Sequence, residues 1–595
     1  MRRTRAAVVA LAAGALVLTA CSSGGGGGND NTSKQDSASQ QQQQSQITFA
    51  DTAGSTGPAD PVAGATTGGT LNILQRDTFA HLDPAQVYVN DQGMLQELIS
   101  RGLTTYRMNS KGKYSVVGDL ATNSGEQSDG GKTWKFTLKD NVKWQDGKAV
   151  SSADIRQSVE RLFASYITSG PIYLQQWLAD VNGTDYRKLL PDGPYKGKHL
   201  PNSILETPDS KTVIFHFKTA HPDLPYVLAM AGYSAVPAAK DTKQKYDKAP
   251  VASGPYKIQS FDSGKGMVLV KNTEWDASTD SARHQYADKY NITFNVQEED
   301  YSKRVMSDNS DNQNATTFTN AVDTTNIQTV VSTPSMKSRT VYGYQPYVGQ
   351  INFNMKKITD KQVRQALAYA IPTKPIYSAM GATYGAEIAG NFISPTISGY
   401  QATDPLGKKA HPMGEPDKAK AILKKIGKLN TKITYAYINT PQGQEYSVAI
   451  ANVLKKAGFN VQRKELDSAT YYDLVGKVNN DYDIYASAWG ADWPSSLSVI
   501  PPVFDGRTIQ DGASNYSHLN DAHVNSEIDR ISKITDPSKA AKEWFKLNTY
   551  IETKIIPAVP TIYYKQLQIY GSKVGGAVYN NVLSNIDPTK LYVKK

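Results

Sequence analysis

The sequence predicts an α/β protein in which helices pack on sheets in more than one lobe. The clearest signal is a strand, a helix and a second strand at 433–440, 443–458 and 459–466, with Gly458 where the helix ends. A helical crossover of this length joins two parallel neighbouring strands and is right-handed. The α/β class follows from this unit and from two further observations on helices and on strands.

Well-signalled helices are the second observation. In "SSADIRQSVERLF" (151–163), Ser151 or Ser152 can cap the helix and Asp154 suits its first turn. "DKQVRQALAYAI" (360–371) begins with Asp360 as a cap and places its apolar residues on one face. Both segments therefore predict amphipathic helices that pack on a sheet.

A hairpin is the third observation. The tetrapeptide GGKT at 130–133 resembles a phosphate-binding loop, but that motif needs a glycine where this chain has Glu126. Trp134, Phe136 and Leu138 then alternate with polar residues, which is the period of a half-buried strand. The glycines are therefore interpreted as a hairpin turn and not as a nucleotide site.

The N-terminus predicts export and lipidation. Residues 1–20 combine the basic start "MRRTR" with a short apolar run and form a signal peptide. The following "LTAC" resembles a bacterial lipobox, which makes Cys21, the only cysteine of the chain, the lipidated first residue of the mature protein. A cleaved signal with an incidental cysteine is the alternative. Residues 21–68 are rich in Gly, Ser and Gln and predict a flexible tether, with ordered structure beginning near 68–77.

Composition excludes several classes of protein. The formal charge of +10 includes three signal arginines and is spread over 595 residues without a Lys/Arg cluster, so no nucleic-acid partner is expected. No other apolar stretch is long enough to span a bilayer, so the lipid is the expected membrane contact. The chain contains neither G-x-S-x-G nor H-E-x-x-H, and His518 and His523 are wrongly spaced for a metal pair on one helical face. No enzyme activity, catalytic residue, metal or cofactor is predicted.

Several segments, in this order, resemble the bacterial extracellular solute-binding proteins of family 5, the lipoproteins that serve peptide, dipeptide and nickel ABC importers. The resemblance runs from about residue 68 to the C-terminus, and "GDLATNSGEQSDGGKTWKFTLKDNVKWQDGKAVSSADIRQSVERL" (118–162) is its most specific part. The other matching segments are "GGTLNILQRDTFAHLDPAQ" (68–86), "ASGPYKIQSF" (252–261), "VRQALAYAI" (363–371), "ADWPSSLSVIPPVF" (491–504) and "SNYSHLNDAHVNSEID" (514–529).

The resemblance implies a hinged, two-lobed fold of the periplasmic-binding-protein type (type II, cluster C) with an extra domain inserted in the first lobe. Lobe I would combine 69–105, 215–340 and 560–595, the inserted domain would be 106–214, and lobe II would be 341–559. Two polar stretches, 183–203 and 307–320, are expected to be surface loops. A ligand that contacts both lobes would favour the closed state.

The same resemblance implies where a peptide would bind. The family's peptide binders hold an extended ligand between two short protein strands through main-chain hydrogen bonds. In those family members, an aspartate faces the α-ammonium group of the ligand. The corresponding residues here are Tyr88, Val89 and Asn90 for one strand, Ala488, Trp489 and Gly490 for the other, and Asp492 for the anchor.

Asp492 has a plainer alternative, because an aspartate before Trp493-Pro494 is also an ordinary turn residue. The family often continues Asp-Tyr-x-Asp-Pro, whereas this chain reads Asp-Trp-Pro-Ser-Ser at 492–496, so the loop shape and the accepted ligand length can differ.

The implied function is that of a lipid-anchored, substrate-binding component of an ABC importer on the outer face of the cell membrane. Its partners would be an oligopeptide and the permease subunits with their cytoplasmic ATPases, and a monomer is expected. The alternatives are a binder of an oligosaccharide or a metal chelate and a peptide-sensing surface receptor of the same fold. Nickel use would favour His and Cys, in which the mature chain is poor, and a sugar binder would not need an acid at 492.

Overall fold

The computed structural model describes residues 47–181 and 183–595. The predicted signal peptide, Cys21 and the first part of the predicted tether lie outside these residues. Within them, none of the helices combines the length and the apolar character needed to cross a membrane.

Strands and helices are both distributed along the described chain. Its strands are β1 (Thr48–Phe49), β2 (Thr70–Leu74), β3 (Thr104–Met108), β4 (Tyr114–Gly118), β5 (Glu126–Ser128), β6 (Thr133–Thr137), β7 (Leu205–Glu206), β8 (Thr212–His216), β9 (Tyr256–Asp262), β10 (Gly266–Lys271), β11 (Lys289–Thr293), β12 (Ala315–Thr316), β13 (Thr340–Phe353), β14 (Ala386–Ile388), β15 (Lys432–Ile438), β16 (Asn460–Leu466), β17 (Ile484–Gly490), β18 (Ala558–Ile569), β19 (Val574–Gly575), β20 (Tyr579–Asn580), β21 (Asn585–Ile586) and β22 (Tyr592–Val593).

Its α-helices are α1 (Thr52–Ser55), α2 (Asn90–Ile99), α3 (Ser152–Arg161), α4 (Tyr173–Ala179), α5 (Leu224–Val227), α6 (Glu298–Ser307), α7 (Ile327–Ser332), α8 (Pro334–Lys337), α9 (Lys361–Ala370), α10 (Lys374–Ala379), α11 (Ala382–Gly385), α12 (Pro416–Lys425), α13 (Pro441–Lys456), α14 (Tyr471–Val475), α15 (Ile500–Phe504), α16 (Ala522–Ile531) and α17 (Pro537–Tyr550).

Two large mixed sheets form the centres of the two lobes. The first has the order β12-β2-β11-β10-β9, with β2 parallel to both β11 and β12. The second has the order β14-β18-β13-β17-β15-β16 and contains the predicted unit, in which β15 and β16 are parallel. Helix α13 connects these two strands, as its sequence predicted.

A third body is built on the antiparallel sheet β5-β6-β8-β7. Its large hydrophobic cluster, here called the N-terminal core, includes Trp134, Trp144 and Phe215. The predicted hairpin is present: β5 pairs with β6, and the turn between them holds Gly130 and Gly131 at positive φ. The N-terminal core extends beyond the predicted inserted domain 106–214, because residues of 224–235 complete it.

Strands β13 and β18 are the long elements that connect the two large sheets. They pair antiparallel from Thr340↔Ile569 to Asn352↔Ala558, and both predicted boundaries near 340 and 560 therefore fall within or at the end of one continuous strand pair. The register breaks between Tyr344 and Val348, so that three residues of β13 face Tyr564 alone. Such a bulge bends a strand pair locally.

The predicted helix starts are confirmed. Ser151 and Asp154 form a reciprocal capping box at α3, and the Asp360 side chain accepts from the Gln362 amide at α9. Each satisfies a backbone group that the helix leaves unpaired at its N-terminus.

Ordered structure begins earlier than residues 68–77. Residues 47–68 were predicted to be part of a tether, but β1 pairs in parallel with β4, and Ser55 is fully buried and accepts a hydrogen bond from the Gly118 amide. Farther on, the Thr66 hydroxyl donates to the Val593 carbonyl. A short apolar strand can join an exposed sheet edge through its backbone alone, which a compositional reading does not detect.

The two polar stretches are also more deeply packed than predicted. Tyr186, Leu190 and Leu200, from the first stretch, are buried in the N-terminal core. In the second stretch, β12 joins the first large sheet and Phe318 is buried. Isolated apolar residues in a polar context anchor both segments.

Candidate ligand-binding site

A cavity of about 160 Å³ lies where the two lobes and the N-terminal core meet. Tyr88, Val89 and Asn90 line it from lobe I, and Asp492 lines it from the loop after β17. The structure thus brings together four of the seven ligand-binding residues predicted from the sequence. Pro346, within the register break of β13, also lines this cavity.

The Asp492 carboxylate is held by two tyrosines. The Tyr88 hydroxyl donates to Oδ1 at 2.8 Å, although the residues are 404 positions apart, and the Tyr173 hydroxyl of α4 donates to Oδ2. Burial raises the pKa of Asp492, and the two hydroxyl donors oppose that rise. Partial loss of solvent at the cavity and the neighbouring carboxylate raise the pKa of both tyrosines, so they remain neutral donors.

Tyr88 and Val89 form an exposed, extended segment that precedes α2. Tyr88 is 50% exposed and Val89 is 55% exposed. Val89 has the dihedral angles of a strand, and Asn90 begins the helix. Among the described residues, neither the backbone amide nor the carbonyl of Tyr88 forms a hydrogen bond. An extended backbone with unused donors and acceptors is suited to pair with another extended chain.

Ala488, Trp489 and Gly490 form the end of β17 and do not line the cavity itself. One edge of this strand pairs with β13, up to Tyr347↔Gly490. On the other edge, β15 pairs only with Ile484 and Tyr485. The edge of β17 beyond Tyr485 therefore has no neighbouring strand in the described chain.

Local packing explains two residues of this strand. A Cβ at Gly490 would lie 2.5 Å from the Tyr347 ring, so a larger residue there would displace the ring. The Trp489 indole N–H donates to the Ser498 carbonyl at 2.8 Å and ties the strand end to the following loop.

Trp493 fixes the loop that carries Asp492. Its side chain is 3% exposed, belongs to the N-terminal core and packs edge-on against Tyr173, with ring centroids 4.8 Å apart. Its indole N–H donates to Asp223 Oδ2 at 2.7 Å, and burial raises the pKa of that carboxyl. The departure from the family's Asp-Tyr pattern is therefore a buried tryptophan that anchors the loop.

Sequence reasoning missed Tyr173, Asp223 and Glu97, all of which lie at or near the cavity. Tyr173 and Asp223 had no signal, because only the tertiary fold brings them to the loop. Glu97 had a weak sequence signal, because it shares a face of α2 with Asn90 and with Gly93, and glycine is unusual in a helix interior.

A larger cavity of about 860 Å³ is lined by residues 59–63, 107–114 and 570–594 among others. It shares Asn581 with the first cavity but contains none of the predicted ligand-binding residues. In the described part of the chain, no group of three or more His, Cys, Asp or Glu residues is arranged to hold a metal ion.

Comparison with known proteins agrees with this architecture. The chain is 24% identical over 523 residues to the probable D,D-dipeptide-binding periplasmic protein DdpA of Escherichia coli K12, covering 85% of this chain and 90% of that protein. It is 24% identical over 484 residues to the periplasmic oligopeptide-binding protein OppA of Salmonella typhimurium, covering 78% and 82%. The solved clavulanic acid biosynthesis oligopeptide binding protein 2 superposes with a TM-score of 0.80 at 24% identity, covering 91% of this chain and all of that one.

The structural relatives support a two-lobed fold of the periplasmic-binding-protein type, as the sequence predicted. The family model for the bacterial extracellular solute-binding proteins, family 5 middle region, matches residues 115–511, about two thirds of the chain. The chain is therefore a binding protein and not an enzyme, and it belongs to the bacterial extracellular solute-binding proteins of family 5.

Proposed function

We propose that this protein captures extracellular oligopeptides between its lobes and delivers them to an ABC permease, with Cys21 as its lipid anchor at the outer face of the cell membrane. Lobe I would comprise 69–105, 215–340 and 560–595, the inserted domain 106–214, and lobe II 341–559. The observation that carries the proposal is the partly buried Asp492 carboxylate beside the free backbone of Tyr88.

Main-chain pairing would hold the peptide. The free backbone amide and carbonyl of Tyr88 would supply hydrogen bonds from lobe I, and the open edge of Ala488–Gly490 would supply them from lobe II. Every peptide offers the same backbone groups, so this mode accepts many sequences. A ligand paired to both segments bridges the lobes and stabilises their closed arrangement.

Asp492 would receive the α-ammonium of the peptide. A carboxylate can accept about four hydrogen bonds, and the two tyrosine hydroxyls use two of these positions. The remaining positions can accept from an ammonium in a charge-assisted pair, which is stronger than a neutral hydrogen bond. No Lys, Arg or His of the described chain lines the cavity to compete for this carboxylate.

The distribution of exposed hydrophobic residues supports the same location. Seven large hydrophobic side chains are exposed in the described chain, and Tyr88, Val89 and Tyr347 are three of them. Tyr88 and Val89 belong to one of the proposed ligand strands, and Tyr347 pairs with Gly490 of the other. Exposed apolar groups concentrated at a cleft mark a binding surface.

Titration calorimetry with mixed tri- to pentapeptides, free and N-acetylated, tests the proposal. We expect heat of binding from the free peptides and its loss on acetylation, because acetylation removes the ammonium. Absence of binding by both sets would exclude peptides and favour the alternatives, an oligosaccharide or a metal chelate. A peptide-sensing receptor would bind in the same way, and uptake of labelled peptide by cells with and without the protein separates it from an importer.

A further inference from the structure

One face of helix α2 forms a wall of the cavity. Asn90, Gly93 and Glu97 all line it, and their spacing of three and four residues places them on the same side of the helix. With a rise of 1.5 Å per residue, Glu97 lies about 10 Å along the helix from Asn90. The wall therefore leads from the proposed ligand strand to a carboxylate in the depth of the cavity.

Gly93 leaves this wall open. A Cβ at Gly93 would meet no atom within 4 Å. Packing therefore does not require glycine at this position, and glycine within a helix costs roughly 0.5–1 kcal/mol relative to alanine. The missing side chain leaves a groove between Asn90 and Glu97 along which a ligand side chain can lie.

Glu97 supplies a negative charge at the end of the groove. Its side chain is 16% exposed, and Glu97 and Asp492 are the ionisable carboxyls that line the cavity. Arg283 approaches Glu97 Oε2 to 3.7 Å, but it also forms ion pairs with Asp119 at 3.0 Å and Asp280 at 3.3 Å. Glu97 therefore shares its nearest cation with two other carboxylates. Burial raises its pKa to about 7, against the effect of Arg283.

A second polar group points to a ligand at the same place. Tyr106 lines the cavity, and its hydroxyl is buried without a hydrogen-bond partner among the described residues. A buried polar atom without a partner costs about 1–3 kcal/mol, so such groups are uncommon unless a ligand or water completes them.

We propose that Glu97, reached over Gly93, binds the ammonium or guanidinium group of a lysine or arginine side chain in the captured peptide, with the Tyr106 hydroxyl as a second acceptor. The inference rests on the proposed peptide-binding function and names the class of peptide that is preferred. The four-carbon stem of lysine fits the open wall at Gly93, and its charge reaches the carboxylate at the far end. Peptides with a long cationic side chain are thus the preferred ligands.

Matched peptides test this inference. A series of pentapeptides carries lysine at one position at a time, and a second series carries the uncharged norleucine instead. In the wild-type protein, we expect lysine at one position to bind about tenfold more tightly than norleucine, because a hydrogen bond to a charged group contributes on that order. In Glu97→Gln, the two series should bind equally, with the norleucine peptides unchanged. Glu445→Gln, an exposed acid on α13, is the control and should retain the preference.

A steric variant gives an independent measurement. Gly93→Leu should block the groove, weaken both lysine and norleucine peptides at the selected position, and leave a glycine peptide unaffected. Equal binding of lysine and norleucine by the wild type at every position would overturn the inference, and so would a lysine preference that survives in Glu97→Gln. If the wild type binds none of the peptides, the proposed function itself fails and the inference fails with it.

Discussion

Asp492 and Glu97 are two partly buried carboxyls that line one cavity, and they differ in the groups that contact them. Asp492 accepts hydrogen bonds from two neutral tyrosine hydroxyls. Glu97 instead faces Arg283, a member of a buried cluster with Asp119 and Asp280. Neutral donors orient a carboxylate without cancelling its charge, whereas a neighbouring cation neutralises part of that charge. We therefore assign general affinity for peptides to Asp492 and selectivity among them to Glu97.

The largest effect is expected on the free energy of unfolding when Arg283, the cation nearest to Glu97, is replaced. Arg283→Met would leave Asp119 and Asp280 buried with less compensation, and breaking such buried pairs typically costs about 3–5 kcal/mol. Urea unfolding at pH 7 measures the loss. Arg304→Met, which removes a solvent-exposed pair with Asp300, should change the free energy of unfolding by less than about 1 kcal/mol. Equal effects of the two variants would contradict the structural role of the cluster.

The second effect distinguishes the roles of Asp492 and Glu97 by the peptides whose affinity each substitution lowers. Asp492→Asn keeps the size of the side chain but removes its charge, and we expect all free peptides to lose roughly a hundredfold or more in affinity. Glu97→Gln should weaken lysine peptides alone. Calorimetry with neutral and lysine-containing peptides makes the comparison, with Asp473→Asn on α14 as an exposed control. A selective loss in Asp492→Asn, confined to lysine peptides, would reverse the two assignments.

The third effect is the pH dependence of selectivity. Burial raises the pKa of Glu97 to about 7 against the opposing effect of Arg283, and the carboxylates of Asp587, Asp119 and Asp280 add to the rise. Glu97 is therefore mostly protonated at pH 6 and mostly ionised at pH 8. The preference for lysine over norleucine should rise with pH by up to about tenfold across this range. The measured quantity is the ratio of the affinities for the two peptides, because Asp492 contributes equally to both. A ratio that does not change with pH would exclude an ionised Glu97 as the acceptor.

The smallest effect concerns the neutral donors at Asp492. Tyr173→Phe removes one of the hydrogen bonds that lower the pKa of this partly buried carboxyl. Peptide binding needs the ionised form, so the acid limb of the affinity profile should move to higher pH by about half to one unit. Tyr377→Phe, whose hydroxyl contacts only Thr383 among the described residues, should leave the profile in place. A shift to lower pH in Tyr173→Phe would contradict the role of the hydroxyl.

Local signals predicted local structure well. The capping box of Ser151 and Asp154 and the turn at Gly130 and Gly131 depend on a few neighbouring residues, and both are present. The ordered structure before residue 68 was missed, because β1 is two residues long and is held by its pairing with β4. Pairing of this kind depends on a partner more than sixty residues away, which composition does not reveal.

The site was predictable only in part. Tyr88 and Asp492 were found through a resemblance to a family, and their contact across 404 residues could not be derived from spacing. Glu97 was missed because a glutamate on a helix is usually a solvated residue, and its burial depends on strands and loops from distant parts of the chain. The glycine at position 93 was the sequence signal that could have drawn attention to this face.

The contact between Thr66 and Val593 has a consequence for how the chain acquires its structure. These residues are 527 positions apart, so the contact joins two segments that are distant in the sequence. Contacts of such large sequence separation form slowly, because a long loop must be ordered before they contribute. The packing of these two segments is therefore expected to be complete only late in folding, after the parts of the chain between them are ordered.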